Sequence, residues 1–316
     1  MSEKKIKFLK SDGFAPFYVI LAASLWAIDG VALRPLLYNL PVSLVVFTES
    51  VIVAVLLTPI ITKHTGSIKS LAYKDWFAFL GVAIFGGALG TMAITKALFY
   101  VNYVNLSIVI LMQKLQPVFA LLLAAIVLKE RLPFNFFFWA AVAISGAYLM
   151  TFGFTIPDVN AGDKTHLAAL FALIAAFSFG FSTVLSKRAL LNVSFELGTY
   201  LRFAISAIVM LIIVTITRTI TSIGMISSNQ VIIFFLIAFT TGGTAIFLYY
   251  YGLKKISASV AAICELAFPL IAIVLEYVLR KNILGPVQWL GVMVLVVSIF
   301  KVSGFKISSF LKSKSK

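Results

Sequence analysis

Residues 97 to 150 occur twice in this chain. Slid forward by about 152 positions without a gap, Ala97 to Met150 lies on Tyr249 to Val302. Ser107 then falls on Ser259, Pro117 on Pro269, Ala120 on Ala272 and Leu123 on Leu275. Lys129 falls on Lys281, Leu132 on Leu284 and Val142 on Val294. Apolar helices match by chance, so the shared pattern carries more weight than the identities. Each copy is an apolar helix with an interior proline, a short basic turn and a second apolar helix. A long internal repeat constrains the whole fold: the chain reads as two related halves.

The solvent for those halves follows from composition. The 316 residues are 61% hydrophobic and 12% charged, against about 25% charged in soluble domains. A soluble fold of this length has no interior large enough for that much apolar surface. The net charge of +15 raises the question of nucleic acid. However, the basic residues sit in short loops and at the termini, without interleaved aromatics, so no nucleic-acid partner is expected. One cysteine, Cys264, excludes an internal disulfide and a cysteine metal site. The first apolar run follows a basic N-terminus as a signal peptide would. It lacks a good cleavage site and is long enough to span, so it reads as a retained helix.

A span takes about 20 apolar residues. Ten candidates appear, near 14–37, 42–62, 76–100, 104–128, 134–153, 166–190, 195–217, 229–252, 257–279 and 286–302. The most turn-rich connection, 154–165, holds Pro157, Asp158, Asn160, Gly162 and Asp163. It divides a first half, 1–153, from a second, 166–316. With the N-terminus in the cytoplasm, 18 Lys and Arg residues fall inside and 5 outside, the remaining three of the 26 lying within spans. The outside five are Arg34, Lys164, Arg218, Arg280 and Lys281. This asymmetry favours both termini inside. Five spans per half then insert the second half upside down, an inverted-topology repeat of the kind that supports alternating access around a midplane site.

The repeat resembles the EamA-like branch of the drug/metabolite transporter superfamily. The resemblance rests on Ala97-Leu98-Phe99-Tyr100, Leu115-Gln116-Pro117-Val118-Phe119 and Leu128-Lys129-Glu130-Arg131-Leu132 in the first half. In the second it rests on Tyr251 to Ser259 and Phe268-Pro269-Leu270. It implies an all-α membrane protein of ten helices in two inverted five-helix halves that transports a solute. The chain departs from the family at Asn282, where an acid like Glu130 is usual, and at Glu49, where an arginine like Arg202 is usual.

Six ionisable residues stand out within the spans: Asp29, Glu49, Lys96, Lys114, Arg202 and Glu265. Each costs about 2.5–3.5 kcal/mol at a helix centre on insertion scales, so each is expected to face a cavity or a partner. Depth at about 1.5 Å per residue separates an outer set (Asp29, Glu49, Lys96, Lys114) from an inner pair (Arg202, Glu265). Pairs of similar depth, Glu49 with Lys96 and Arg202 with Glu265, are expected either as structural ion pairs or as gates that close the two sides in turn. Lys96 can also snorkel to the interface. Asp29, with Trp26 three residues back on the same face, can meet a ligand and carry a coupling proton.

Gln113 and Gln116 flank Lys114, either as interhelical hydrogen bonds or as substrate contacts. Pro117 and Pro269 each release a backbone carbonyl in mid-helix, so paired kinks lining a cavity are expected. Gly86-Gly87-Ala88-Leu89-Gly90 and Thr241-Gly242-Gly243-Thr244 correspond in the repeat and read as close packing. Tyr249, Tyr250 and Tyr251 read as an interfacial belt or part of a substrate wall. His64 and His166 read as polar surface.

Enzyme motifs are absent: no His-Glu-x-x-His, Gly-x-Ser-x-Gly or phosphate loop occurs, and no cofactor is expected. The expected function is secondary transport, across a bacterial inner membrane, of a small organic metabolite. An amino acid exported by proton antiport is the first candidate. An importer or exchanger of a larger nucleotide-linked solute is the alternative. A membrane scaffold or intramembrane enzyme is the reading from another class.

Overall fold

The computed structural model describes residues 14–69, 71–100, 109, 112–156, 164–280 and 284–303. Ser107, Lys281, Asn282 and most of the connection after Gly153 lie outside them. Among the described residues every regular element is helical. Eight segments are long and apolar enough to cross a membrane: α1 (Ala15–Leu37), α3 (Tyr73–Ala97), α5 (Phe134–Phe152), α6 (His166–Ala189), α7 (Phe195–Ile216), α8 (Ser228–Lys255), α9 (Ala258–Leu275) and α10 (Pro286–Ser303). Two shorter apolar helices, α2 (Val42–Leu57) and α4 (Gln116–Val127), complete the series. They stand at the second and fourth expected spans and fall short of the expected lengths. α2 gives way at Thr58 to a more polar helix, Pro59–Lys69. Most of residues 101–115, just ahead of α4, lie outside the described residues.

Local chemistry sets the ends. Ser194 accepts from the Leu197 N–H at the start of α7, and Ser257 does the same for Val260 in α9. Ser227 and Gln230 form a reciprocal capping box at α8. Pro286 opens α10 where no N–H is needed. Gly153, at φ +62°, stops α5 in a conformation that disfavours side chains with a Cβ.

Small residues decide which helices meet. A Cβ on Gly146 of α5 would stand 2.8 Å from the Leu295 amide of α10, and one on Gly252 of α8 would stand 2.7 Å from the Ala15 carbonyl of α1. A Cβ on Gly180 of α6 would stand 2.9 Å from the Gln116 carbonyl of α4. Such backbone proximity is how helices gain van der Waals energy where lipid offers no hydrophobic drive. The main pairings are α5 with α10, α3 with α6, α1 with α8 and α2 with α7. Under the sequence repeat, α2 and α7 are counterparts, as are α5 and α10, and the α1–α8 pair maps onto α6–α3. Phe77, Ile126, Phe138, Ile212, Phe239 and Met293 point outward and are exposed, as expected of side chains that meet hydrocarbon. Polar side chains such as Asp29, Glu49, Arg202 and Glu265 turn inward.

Three π-helical segments interrupt this frame: Asp29–Leu33 in α1, Ala83–Leu89 in α3 and Ala238–Gly242 in α8. The last two coincide with the glycine stretches expected to pack closely. The glycines do allow close approach: a Cβ on Gly87 would meet the Ser206 hydroxyl at 3.1 Å, and one on Gly242 the Glu49 carboxylate at 2.8 Å. π-Turns of this kind occur frequently at functional sites.

Candidate functional site: a central cavity

All three π segments border one cavity of about 1120 Å³, to which every one of α1–α10 contributes. At one end its lining reaches the exposed Tyr38 and the half-buried Leu284. At the other it stops at Ser186 and Ala262. Beyond that point the bundle is tied shut. The Ser186 hydroxyl and the Tyr250 phenol hydrogen-bond at 3.0 Å, and the Lys187 ammonium donates to the Leu253 and Lys254 carbonyls at 2.8 and 3.0 Å. Glu130 accepts from the Ala258 and Ser259 amides at 2.8 and 3.2 Å, capping α9.

The helix breaks place the polar groups. α4 begins at a turn through Lys114 and Leu115, and α9 is interrupted by a turn through Glu265 and Leu266. Each break precedes one of the paired prolines, Pro117 or Pro269, and both prolines line the cavity. In α1 the π-turn brings the Arg34 amide onto the Asp29 carbonyl. The Arg34 side chain then folds back on its own helix.

Of the residues singled out from the sequence, Trp26, Asp29, Glu49, Gln113, Lys114, Gln116, Arg202 and Glu265 all line the cavity. Lys96 is not among the lining residues. It is exposed on α3, its ammonium 6.0 Å from the Tyr100 ring centroid.

The expected ion pairs are corrected. Glu49 pairs with Arg34, at 3.2 Å, rather than with Lys96. Arg34 also donates from Nε to Asp29 Oδ2 at 2.7 Å, so one guanidinium bridges two carboxylates. Arg34 is therefore a cavity residue and not a loop residue, because the π-turn keeps it inside the bundle. Arg202 and Glu265 make no ion pair with each other. Glu265 accepts from neutral donors: Gln116 Nε2 at 2.9 Å, Thr183 Oγ1 at 3.2 Å and the Tyr249 hydroxyl at 2.6 Å. Arg202 donates to the Tyr250 hydroxyl at 3.4 Å and lies with its guanidinium carbon 5.8 Å from that ring.

Sequence reasoning missed Arg34 and Thr183, and left Tyr249 between a belt and a wall. Tyr249 and Tyr250 are 3% and 0% exposed, which excludes a belt role for them. The Tyr249 ring stands 5.2 Å from that of Trp26. Phe268 packs 3.6 Å from where a Cβ on Gly30 would be. These rings form an aromatic wall beside the polar groups. The five-residue interval from Asp29 to Arg34, one π-turn, is the signal that could have placed Arg34. His64 is more than surface: its Nε2 is 3.2 Å from the Ser194 hydroxyl.

Comparison with known proteins fits a solute pathway. The family model described as the EamA-like transporter family matches residues 13–152 and 166–304. The riboflavin transporter ImpX of Fusobacterium nucleatum is 43% identical over 286 residues, covering 90% of this chain and 96% of the relative. An uncharacterized transporter of Synechocystis, sll1164, is 28% identical over 238 residues, 73% of this chain and 66% of the relative. A solved crystal structure superposes with a TM-score of 0.70 over 90% of this chain and 95% of its own, at 15% identity, a likeness of fold alone. This chain is a multi-pass membrane transporter, not an enzyme, and it belongs to the EamA-like transporter family.

Proposed function

We propose that this protein carries riboflavin, or a flavin of similar size, across a bacterial cytoplasmic membrane by alternating access. The observation that carries the proposal is the 43% identity to a riboflavin transporter over nearly the whole length of both chains. The cavity supports it. Its volume of about 1120 Å³ lies just above the roughly 300–1,000 Å³ usual for organic ligands. A planar heteroaromatic ring suits the wall of Trp26, Tyr249 and Phe268, and a polyol suits the carboxylates. An amino acid, the first expectation, would leave most of this space unfilled. Two of the cavity carboxylates that could hold its ammonium, Asp29 and Glu49, already share Arg34.

The architecture we infer is ten spans in two inverted five-helix halves, 1–153 and 166–316, joined by 154–165. The counterpart pairings α2–α7 and α5–α10 support it, since a two-fold axis in the membrane plane brings equivalent helices together. With both termini cytoplasmic, as the basic residues favour, the Tyr38–Leu284 end faces outside. The state is then outward-open, with the cytoplasmic side closed.

The test is uptake of labelled riboflavin into proteoliposomes or into a riboflavin auxotroph expressing the chain. Saturable uptake, competed by unlabelled riboflavin and not by amino acids, is the expected result. Amino-acid counterflow without flavin uptake would overturn the assignment.

A further inference from the structure

The polar groups of the cavity are unevenly satisfied. Arg34 is held by two carboxylates, and both Glu265 oxygens are occupied by neutral donors. Among the described residues Lys114 makes no salt bridge. Among the described residues neither the half-buried Lys114 ammonium nor the Gln113 amide has a hydrogen-bond or ion-pair partner. A lysine within the bilayer's depth is costly and normally finds a counter-group. The reverse imbalance exists at the α1–α2 wall. Asp29 is 7% exposed and lines the cavity, yet its Oδ1 is buried without a partner among the described residues. Thr241, on the π-turn beside Gly242, has a hydroxyl in the same condition. One wall therefore offers spare donors and another offers spare acceptors, with the aromatic rings of Trp26 and Tyr249 also on the lining.

We infer that Lys114 and Gln113 are specificity-determining residues that take the acceptor-rich dioxopyrimidine edge of a flavin ring, while Asp29 takes the hydroxyls of its side chain. This rests on the flavin reading above. The chemistry is complementary at each end. The dioxopyrimidine edge presents its carbonyl oxygens and unprotonated ring nitrogens as acceptors, against a single imide N–H donor, which suits an ammonium with three donors and an amide NH₂. The polyol presents hydroxyl donors, which suit the spare carboxylate oxygen. Binding in the opposite sense would set carbonyl oxygens against carboxylates, two acceptors with no donor between them. The unpartnered groups thus define a direction for the ligand as well as a class.

Two flavins separate the ends: riboflavin, and lumiflavin, which keeps the ring and lacks the polyol. Binding to the purified full-length protein is followed by quenching of flavin fluorescence. Lys114→Met is expected to weaken both ligands by the same factor, about tenfold or more, the scale of one hydrogen bond to a charged group. Lys114→Arg is expected to retain both. Asp29→Asn is expected to weaken riboflavin and leave lumiflavin unchanged. Lys114→Met binding both ligands like the wild type, or losing riboflavin alone, would overturn the assignment. A measurement on the unmutated protein avoids any loss of folding: infrared difference spectra of bound riboflavin labelled with ¹³C at its ring carbonyls. Bands shifted down on binding support the contact, and unshifted bands overturn it. If the wild type binds neither flavin, the flavin reading itself has failed, and that outcome is distinct from wild-type binding that Lys114→Met leaves unchanged.

Discussion

Glu130 receives the Ser259 hydroxyl at 2.5 Å and the Ser259 amide at 3.2 Å, so a loop after α4 clasps the first turn of α9. The contact joins the two halves at the end where the cavity is closed. A carboxylate on a helix N-terminus is favoured by both the free amides and the helix dipole. Any cycle that opens this end has to part elements that meet here. Glu130→Gln keeps the shape and removes the charge, and should weaken the clasp by about 1–3 kcal/mol. With Ser186→Cys introduced and Cys264→Ala removing the native thiol, the mutation should speed labelling from the closed end by an impermeant reagent. Unchanged labelling would mean that the Lys187 and Tyr250 contacts hold the end without it.

Arg34 bridges Asp29 and Glu49, and Arg34→Ala would leave two carboxylates facing each other. Removing one member of a fully buried pair costs about 3–5 kcal/mol. The arginine side chain is 29% exposed, so a smaller but measurable fall in melting temperature is expected. Adding Glu49→Gln to Arg34→Ala should restore part of it, because one of the stranded charges is gone. Lys96→Gln, by contrast, should change stability by no more than about 0.5 kcal/mol. A large effect of Lys96→Gln, with none of Arg34→Ala, would restore the pairing expected from depth alone.

That pairing shows where the sequence stops being legible. Depth along a span follows from counting residues, and it sets Glu49 and Lys96 at similar height. It says nothing of helix rotation, and Lys96 is exposed on its own helix. Arg34 was hidden for a related reason. It follows the apolar run, and charge counting assigns such a residue to a loop, whereas a π-turn draws it back inside. The helix breaks were more visible, because Pro117 and Pro269 recur at the repeat interval and a proline cannot satisfy a helix interior. Glu265 was visible as a charge in an apolar run. Its donors were not, since Thr183 and Tyr249 are ordinary residues in membrane helices and meet it only through the fold.

The α5–α10 contact predicts a local intolerance. A Cβ on Gly291 would stand 2.8 Å from both the Leu149 carbonyl carbon and the Met150 Cα. These are backbone atoms on a neighbouring helix and cannot swing away. Gly291→Ala should therefore force the helices apart and destabilise the protein by about 1–3 kcal/mol, the usual cost of overpacking. Gly66, with nothing within 4 Å of its would-be Cβ, supplies the control. Gly66→Ala in the helix Pro59–Lys69 should be neutral or slightly stabilising, through helix propensity. Equal melting temperatures for the two variants would mean that the α5–α10 interface has room that the geometry denies.

Asp29 was the first candidate from sequence for a coupling proton, because it lies near mid-depth beside Trp26. The geometry favours Glu265 instead. Neutralising Asp29 removes a partner from Arg34, whereas neutralising Glu265 strands no cation, since Gln116, Thr183 and Tyr249 are all neutral. A coupling group has to exist in both protonation states during a cycle, and the one whose neutral form disturbs its surroundings least can alternate most readily. Tyr249 and Thr183 are hydroxyls, able to donate to a carboxylate or to accept from a carboxylic acid. If flavin movement is coupled to protons, Glu265→Gln should keep exchange of labelled for unlabelled riboflavin. It should lose the accumulation that an imposed pH gradient drives in wild-type proteoliposomes. Asp29→Asn should weaken riboflavin binding and still respond to the gradient once the ligand is saturating. The converse result, a gradient response lost in Asp29→Asn and kept in Glu265→Gln, would return the coupling role to Asp29. It would also make Arg34 the group that releases it.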